Sequence, residues 1–122
     1  CWGGRVAWLG ACHNPNYKAA AMLYGGRIKA GLGEGSLPAI ELADRIACPM
    51  MGIFGNDDQN PSPEDVDDLG DALNKAGVEH EFHRYDGAGH GFQDFTNEER
   101  YRKEASDDAW EKVLAFLGRQ LK

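Results

Sequence analysis

The clearest helical pattern in the chain lies in residues 63–76, where apolar side chains recur at three- or four-residue intervals. The repeating positions are Val66, Leu69, Leu73 and Ala76. Ser62 is a suitable N-cap residue, Pro63 suits the first helical position, and Asp65 completes a variant of the capping box. Gly77 supplies a helix stop. The pattern therefore predicts an amphipathic helix over residues 63–76.

A second helical stripe lies near the end of the chain and predicts another amphipathic helix. Its apolar members are Trp110, Val113, Leu114, Leu117 and Leu121, at the spacing of one helix face. We expect this face, including Trp110, to pack in the core. Thr96 and Glu99 have the Thr-x-x-Glu spacing of a capping box, which predicts that the helix begins there.

Three further segments between turn residues predict β-strands: residues 18–24, 48–55 and 78–85. The first two are apolar runs closed by glycine and indicate buried strands, whereas the third has mixed faces, as is typical of a strand nearer an edge. A short helix is expected after Gly4, ending before Asn14. A loop is expected over residues 31–36, and a weaker helical pattern covers residues 38–47.

Helices and strands alternate along the chain, which favours an α/β fold with a mostly parallel sheet and helices on both faces. In such folds, ligands bind beyond the carboxyl ends of the strands. Three turns in such positions carry reactive side chains: Cys1 at a helix start, Asp57 and Asp58 after the second strand, and His90 after the third. We expect these turns to form the functional site.

Composition and charge exclude several classes of function. The chain has 122 residues, of which 42% are hydrophobic and 27% charged, as in an ordinary globular domain. Its formal net charge of -7 argues against a nucleic-acid partner, because a basic surface is needed to displace counterions from phosphates. No apolar run approaches the roughly 18 residues of a membrane span. Three cysteines do not suit a disulfide scaffold, so we expect a cytoplasmic protein.

The order of the reactive turns matches that of a nucleophile, an acid and a histidine in acyl-transfer enzymes. In α/β-hydrolases the nucleophile occupies a strand-to-helix turn with the pattern G-x-nucleophile-x-G, and the acid and histidine follow in that order. Residues 1–4 have the sequence CWGG, residues 55–58 have GNDD, and residues 87–92 have GAGHGF. Together these motifs predict a Cys-His-Asp triad.

These motifs resemble those of the dienelactone hydrolases, a family with the α/β-hydrolase fold. The family patterns are G-x-C-x-G-G at the nucleophile, G-x-x-D at the acid and A-G-H-x-F at the histidine. The matching positions are Cys1, Gly3, Gly4, Gly55, Asp58, Ala88, Gly89, His90 and Phe92. The resemblance covers essentially all 122 residues and includes the Tyr24-Gly25-Gly26 turn and the final helix.

The resemblance implies a role for each matched side chain. Cys1 is the expected nucleophile, attacking an ester or lactone carbonyl as a thiolate, and His90 is the expected base. Asp58 would hold the imidazole in the right tautomer, and the Gly-x-x-Asp spacing favours it over Asp57. The backbone N–H of Trp2 would be one oxyanion donor. The turns are expected to be shaped by Gly3, Gly4, Gly55 and Gly89.

The resemblance also has consequences for the domain and its assembly. Residues 1–122 correspond to the C-terminal half of a family member, starting at the nucleophile, so the N-terminal half of the domain is expected to be absent from this sequence. A sheet without its preceding strands has an exposed apolar edge that can pair with another chain. We therefore expect an N-terminal part, a homo-oligomer or a strand-exchanged dimer to cover this edge.

The expected substrate is a small neutral ester or lactone. Family members that bind an anionic lactone have an arginine four residues after the histidine, whereas this chain has Asp94 at that position. A carboxylate there would repel an anionic substrate. Neither a cofactor nor a metal is expected, because His80 and His83 lie on opposite faces of a strand and no Cys/His spacing indicates zinc.

Two other hypotheses compete with the hydrolase. The chain would instead be a catalytically inactive hydrolase half, acting as a folding or interaction module, because the strand before the nucleophile is not in this sequence. Alternatively, Cys1 would be a free N-terminal nucleophile with its own α-amine as the base. The hypothesis of a free N-terminal nucleophile leaves Asp58 and His90 without a role.

Overall fold

A computed structural model describes residues 1–31 and 33–122. Its elements in chain order are α1 (Trp2–His13), β1 (Ala20–Leu23), a 3-10 helix (Ala39–Arg45), β2 (Met50–Gly55), α2 (Pro63–Ala76), β3 (His80–Tyr85) and α3 (Lys103–Gln120). The predicted strands are present, although each is shorter than its predicted segment. The weak helical pattern over residues 38–47 corresponds to the 3-10 helix. Leu32, within the loop predicted over residues 31–36, lies outside the described residues.

The strands β1, β2 and β3 form a parallel sheet in that order. Met22 of β1, Gly52 of β2 and Phe82 of β3 lie side by side in the register. A helix lies in each crossover, as parallel strands require: the 3-10 helix after β1, and α2 after β2. All residues of β2 are buried, whereas β3 is only partly buried. The predicted parallel sheet is confirmed.

Helices cover both faces of the sheet, and an apolar cluster lies beneath each layer. On one face, α1, α2 and the 3-10 helix enclose a cluster that includes Trp8, Met22, Met50, Phe54, Leu69 and Leu73. On the other face, α3 encloses a cluster that includes Met51, Ile53, Val113 and Phe116. Met50 and Met51 belong to different clusters because successive strand side chains point to opposite faces. Each fully buried large side chain stabilises the fold by about 1.5–3 kcal/mol.

The predicted ends of α2 are confirmed. The Ser62 hydroxyl accepts from the Asp65 N–H at 3.2 Å, and the Asp65 carboxylate accepts from the Ser62 N–H at 3.3 Å. This reciprocal pair is a complete capping box, which satisfies two donors at the helix start. Gly77 ends the helix with a left-handed backbone at φ 71°, a conformation that glycine adopts without steric penalty.

Helix α3 begins at Lys103, so the start predicted at Thr96 is wrong. The N–H and hydroxyl of Thr96 both donate to Asp94 Oδ1, at 3.0 and 2.5 Å, and so close a local turn instead of capping a helix. Arg102 is the N-cap, and its N–H donates to the Phe92 carbonyl at 3.0 Å. The helix start is therefore set by contact with the histidine turn.

The face of α3 that enters the core also differs from the prediction. The buried residues are Ala109, Val113 and Phe116, whereas Trp110 is 55% exposed and Leu114 is 53% exposed. Both faces of the helix carry apolar residues, so the periodicity alone does not identify the packed face. The prediction that Trp110 is a core residue is wrong. No helix in the described ranges, α3 included, is long and apolar enough to cross a membrane.

Candidate active site

The first turn of α1 packs directly on the end of β1, which places Cys1 at the carboxyl edge of the sheet. The Cys1 nitrogen donates to the Tyr24 carbonyl oxygen at 2.5 Å. A Cβ atom on Gly4 would lie 2.1 Å from the Leu23 carbonyl oxygen and 2.7 Å from the Gly25 nitrogen. These distances exclude any side chain, so the junction requires glycine at position 4. Cys1 is the exposed N-cap residue of α1.

The other predicted elbow residues, Trp2 and Gly3, lie in the first turn of α1. The Trp2 N–H is at the first helical position, where backbone donors have no acceptor within the helix. A Cβ atom on Gly3 would meet nothing within 4 Å, and the same holds for Gly89 in the histidine turn. Unlike Gly4, these two glycines have space for a side chain, so their expected role in shaping the turns has no steric basis among the described residues.

A second close contact joins the acid turn to the histidine turn. Gly55 ends β2, and a Cβ atom there would lie 2.2 Å from the Ala88 carbonyl oxygen. The same carbonyl accepts from the Asp57 N–H at 2.9 Å. The turns after β2 and β3 meet because parallel neighbours have their carboxyl ends at the same edge. Gly55, like Gly4, therefore occupies a position that only glycine fits.

Asp58 and His90 form a hydrogen-bonded pair where these two turns meet. His90 Nδ1 lies 2.8 Å from Asp58 Oδ2, and the Asp58 side chain is only 3% exposed. The other carboxylate oxygen of Asp58 accepts from the Asn60 N–H at 2.9 Å. A proton on Nδ1 leaves Nε2 of His90 free to accept another proton. Of the two aspartates in the turn, Asp58 is the one in contact with the histidine, and Asp57 is exposed.

Cys1, Asp58 and His90 line the same surface cavity of about 490 Å³. Other residues on its wall are Trp2, Arg5, Arg27, Asp57 and Asn60. The volume is in the range of small-molecule sites. The fold thus brings together a thiol, an imidazole and a buried carboxylate, the groups that acyl transfer through a covalent intermediate requires.

The sequence of the chain matches the sequence model of the dienelactone hydrolase family over residues 1–121. The chain belongs to the dienelactone hydrolase family. The resemblance that the three motifs predicted is therefore confirmed, and the matched span includes the thiol, the carboxylate and the imidazole of the cavity.

The curated relatives of this chain are named carboxymethylenebutenolidases. The carboxymethylenebutenolidase of Rhodococcus opacus is 31% identical, over 99% of this chain and 48% of the relative. A "putative carboxymethylenebutenolidase" of Synechocystis sp. is 36% identical, over 100% of this chain and 49% of the relative. One from Escherichia coli is 34% identical, over 96% and 43%. The chain spans about half the length of the curated relatives it matches.

Solved structures agree with the family assignment. A "putative dienelactone hydrolase" from Klebsiella pneumoniae superposes with a TM-score of 0.89 at 30% identity, covering 97% of this chain and 49% of that chain. A puromycin-hydrolyzing peptidase from Mycobacterium tuberculosis superposes with a TM-score of 0.78 at 19% identity, covering 97% and 20%, and so shares the fold. The α/β-hydrolase architecture predicted from the sequence is confirmed.

The wall of the cavity has charged side chains of both signs. Arg5 is only 3% exposed, and its Nη2 donates to the Ala30 carbonyl at 2.9 Å, while its Nε has no partner among the described residues. Arg27 lies on the same wall, as do Asp57 and Asp58. The formal charges of these two arginines and two aspartates cancel.

Asp94 is not among the described residues that line the cavity. Its carboxylate accepts hydrogen bonds from the hydroxyl and N–H of Thr96, which lower its pKa and hold it as a local turn anchor. Direct contact between Asp94 and a bound ligand therefore does not support the expected neutral substrate, which stays a prediction. The balanced charge of the wall is the property that now bears on the substrate.

Arg5 and Arg27 lie on the wall although no motif indicated either of them. Arg5 follows Cys1 by four residues, so helical spacing places both on one face of α1, and that signal was present in the sequence. Arg27 has a left-handed backbone at φ 54°, an uncommon conformation for a residue with a side chain. Because tertiary contacts impose this conformation, sequence patterning does not reveal it.

The two histidines on β3 have separate partners. His80 Nδ1 lies 3.0 Å from the Val78 carbonyl oxygen, and His83 Nε2 lies 2.7 Å from Glu81 Oε2. Within residues 1–31 and 33–122, no group of three or more His, Cys, Asp or Glu side chains is placed to hold a metal ion.

Proposed function

We propose that the protein hydrolyses a small carboxylic ester or lactone, with Cys1 as nucleophile, His90 as general base and Asp58 as the acid that orients the histidine. One observation carries the proposal: the 2.8 Å bond between buried Asp58 and His90, on the wall of the cavity that Cys1 also lines. A nucleophile, a base and an orienting acid are the parts of an acyl-transfer triad. Membership of a hydrolase family supports the same reaction.

In the first half-reaction, Nε2 of His90 removes the thiol proton of Cys1, and the thiolate sulfur attacks the carbonyl carbon of the substrate. The carbonyl electron pair moves to oxygen and forms a tetrahedral oxyanion. The Trp2 N–H donates to this oxyanion, and the positive end of the α1 dipole stabilises both the thiolate and the oxyanion. Asp58 stabilises the imidazolium that forms on His90.

The oxyanion then collapses to a thioester on Cys1, and the imidazolium of His90 gives its proton to the departing alkoxide. In the second half-reaction, water gives a proton to His90 and attacks the thioester carbonyl carbon. The C–S bond breaks, the carboxylic acid leaves, and the proton returns to the Cys1 sulfur. Water is the sole co-reactant in this scheme. With a lactone, the acid and the alcohol stay in one product.

The proposed substrate is small and neutral. The volume of about 490 Å³ suits a small molecule, and the two arginines and two aspartates on the wall leave no net formal charge to select an anion. We expect higher kcat/KM for p-nitrophenyl acetate than for the anionic monoester p-nitrophenyl succinate. The opposite preference would contradict a neutral substrate.

The proposed domain is larger than the present sequence. The chain covers 43% of the Escherichia coli relative and 49% of the Synechocystis relative, which supports the assignment of residues 1–122 as one half of a hydrolase domain. The outer edge of β1 pairs with no described strand, so either the rest of the domain or a second copy of the chain covers it. Sedimentation of residues 1–122 tests the second arrangement, because a monomeric mass would contradict it.

Replacement of Cys1 tests the reaction. Cys1→Ala is expected to lower p-nitrophenyl acetate turnover by at least roughly 10³-fold, since no other group takes the place of the nucleophile. Cys48→Ala is the matched control, because Cys48 is a buried free thiol away from the cavity. Unchanged turnover in Cys1→Ala would exclude the thiol mechanism. A folded wild-type protein without turnover would instead favour the inactive module.

A further inference from the structure

The turn after β1, residues 24–27, carries no member of the proposed triad, yet it contacts all three segments that do. We name these residues, Tyr24 to Arg27, the β1 turn. The two residues of the turn that are not glycine both have left-handed backbones, Tyr24 at φ 38° and Arg27 at φ 54°. Such conformations are unfavourable for L-residues and persist where surrounding contacts impose them. The contacts that hold these two backbones in place also join the β1 turn to the segments that carry the proposed triad.

The first contact is with the nucleophile segment. The Tyr24 carbonyl accepts from the Cys1 nitrogen at 2.5 Å, and a Cβ atom on Gly25 would lie 2.8 Å from the Arg5 nitrogen and from the Gly4 carbonyl carbon. The Tyr24 N–H is itself fixed to β2, where it donates to the Ile53 carbonyl at 2.7 Å. The position of Cys1 relative to the sheet thus depends on the β1 turn.

The second contact is with the histidine turn. The rings of Tyr24 and His90 meet edge to face with centroids 5.5 Å apart, and Tyr24 makes a similar contact with Phe92 at 5.6 Å. The backbone N–H of Gln93 also approaches the Tyr24 hydroxyl oxygen, but burial has the larger effect and raises the pKa of this phenol. A neutral, buried aromatic ring therefore packs against the imidazole.

The third contact is with the acid turn and runs through Asn60. The Arg27 N–H donates to Asn60 Oδ1 at 2.8 Å, and the Asn60 N–H donates to Asp58 Oδ1 at 2.9 Å. Gly26 packs so closely on Asn60 that a Cβ atom would lie 2.8 Å from the Asn60 carbonyl oxygen. Asn60 therefore connects the β1 turn to Asp58: its side chain binds the turn, and its backbone N–H binds the Asp58 carboxylate.

From these contacts we infer that the β1 turn is a positioning element that sets the placement of Cys1 relative to the Asp58–His90 pair, with Tyr24 and Asn60 as its positioning residues. The inference rests on the proposed function. Neither residue transfers a proton or forms a bond to substrate. Their effect is on the alignment of the sulfur and the imidazole, and a misplacement of about 1 Å at such a site can lower a rate roughly 10²-fold.

Asn60 provides the first test, because it is exposed and its truncation should leave the fold intact. Asn60→Ala removes the acceptor for the Arg27 N–H, and we expect kcat per folded molecule to fall about 10- to 100-fold, with a smaller change in KM. Asn60→Asp retains the acceptor oxygen and should recover most of the lost kcat. Asn74→Ala, at an exposed position of α2, is the matched control and should leave kcat unchanged.

Tyr24 provides an independent test through the ring contact. Tyr24→Leu should lower kcat about 10-fold or more, whereas Tyr24→Phe keeps the ring on His90 and should lower it less than about threefold. Tyr85→Phe is the control for loss of a tyrosine hydroxyl, since Tyr85 packs on Phe92 and donates to Asp108. Iodoacetamide labels Cys1 alone in a folded molecule and also Cys12 and Cys48 in an unfolded one, so the labelling of these two buried thiols measures the unfolded fraction. Every kcat is normalised to the folded fraction, so that a loss of folded protein cannot imitate a loss of alignment.

The outcomes separate this inference from the proposed function. Loss of kcat in Asn60→Ala and Tyr24→Leu, with recovery in Asn60→Asp and Tyr24→Phe, would support the positioning role. An active wild-type protein whose Asn60→Ala and Tyr24→Leu variants keep kcat within about twofold would overturn the inference and leave the triad standing. A wild-type protein that turns over no ester would overturn the proposed function, and the positioning role with it.

Discussion

Two junctions at the carboxyl edge of the sheet hold the candidate active site, and they are built differently. At the first, α1 meets the end of β1 through backbone contact between Gly4 and Gly25. At the second, the turns after β2 and β3 meet at Gly55, and the Asp58–His90 hydrogen bond crosses between them. At the first junction, close backbone packing places the proposed nucleophile. At the second, close packing and the Asp58–His90 hydrogen bond together place the proposed base.

This difference predicts how each junction fails. Loss of charge on the Asp58 side chain, with its shape kept, should affect catalysis far more than stability. A methyl group added at Gly4 should affect both, because the backbone of α1 must move away from β1. The two junctions are therefore distinguishable by measuring kcat and the free energy of unfolding on the same variants.

The largest expected effect is that of Asp58→Asn on catalysis. An amide of the same shape presents the wrong partner to His90 Nδ1, so we expect kcat/KM for p-nitrophenyl acetate to fall about 10³- to 10⁴-fold. The free energy of unfolding should fall by only about 1–3 kcal/mol in urea titrations, the contribution of one charged hydrogen bond. Asp71→Asn, at an exposed position of α2, controls for loss of one carboxylate. A loss of kcat/KM below tenfold in Asp58→Asn would contradict the proposed role of this pair.

The next effect is that of Gly4→Ala on stability. The added Cβ atom would lie 2.1 Å from the Leu23 carbonyl oxygen, so we expect a loss of about 3 kcal/mol in the free energy of unfolding, with loss of turnover. Gly3→Ala is the matched control, because a Cβ atom there meets nothing within 4 Å. Alanine is the better helix former, so Gly3→Ala should raise stability by up to about 1 kcal/mol. Equal unfolding midpoints for the two variants would refute the backbone contact at this junction.

The smallest expected effect is on the alkylation, at neutral pH, of the two thiols that lie away from both junctions. Burial raises the pKa of the Cys12 thiol to about 12 and raises that of Cys48 as well. Both should stay protonated at pH 7.5, so iodoacetamide should label exposed Cys1 alone in the native protein and all three cysteines in urea. Labelling of Cys12 at the rate of Cys1 in the native protein would contradict this burial.

The same raised pKa values predict a loss of stability in alkali. Above the ordinary thiol pKa of 9.0, the unfolded chain releases the Cys12 proton, while the folded chain retains it up to about pH 12. The unfolded state then binds fewer protons, so stability decreases as pH rises through this window. Urea midpoints should be lower at pH 10.5 than at pH 8, and Cys12→Ala should reduce that difference.

The two amphipathic helices show what sequence patterns predict and where they fail. The ends of α2 are predicted correctly because they depend on neighbours in the chain, with Ser62 and Asp65 at one end and Gly77 at the other. The start of α3 depends on tertiary contact, since Arg102 donates to the Phe92 carbonyl. Thr96, which has the spacing of a cap, is held in a turn by Asp94.

The candidate site divides in the same way. Its three reactive side chains are predictable because each lies in a short motif, and parallel strands bring their carboxyl-end turns to one edge. The Tyr24-Gly25-Gly26 turn is part of the family resemblance, but the left-handed backbones of Tyr24 and Arg27 are not predictable, because they result from contacts with segments far away in the chain. Gly3 and Gly4 are equivalent in the motif, yet only Gly4 touches the end of β1. Short motifs thus predict which turns meet at this edge of the sheet, and they predict steric requirements less well.

The position of Trp2 on the cavity wall gives the protein a built-in optical reporter. The chain has three tryptophans. Trp8 is fully buried, Trp110 is exposed on the outer face of α3, and Trp2 is 60% exposed beside Cys1. Acrylamide dissolved in the solvent reaches Trp2 and Trp110 but not Trp8. In a Trp110→Phe protein, the quenchable part of the fluorescence therefore arises from Trp2, and its protection from acrylamide measures occupancy of the cavity without any turnover.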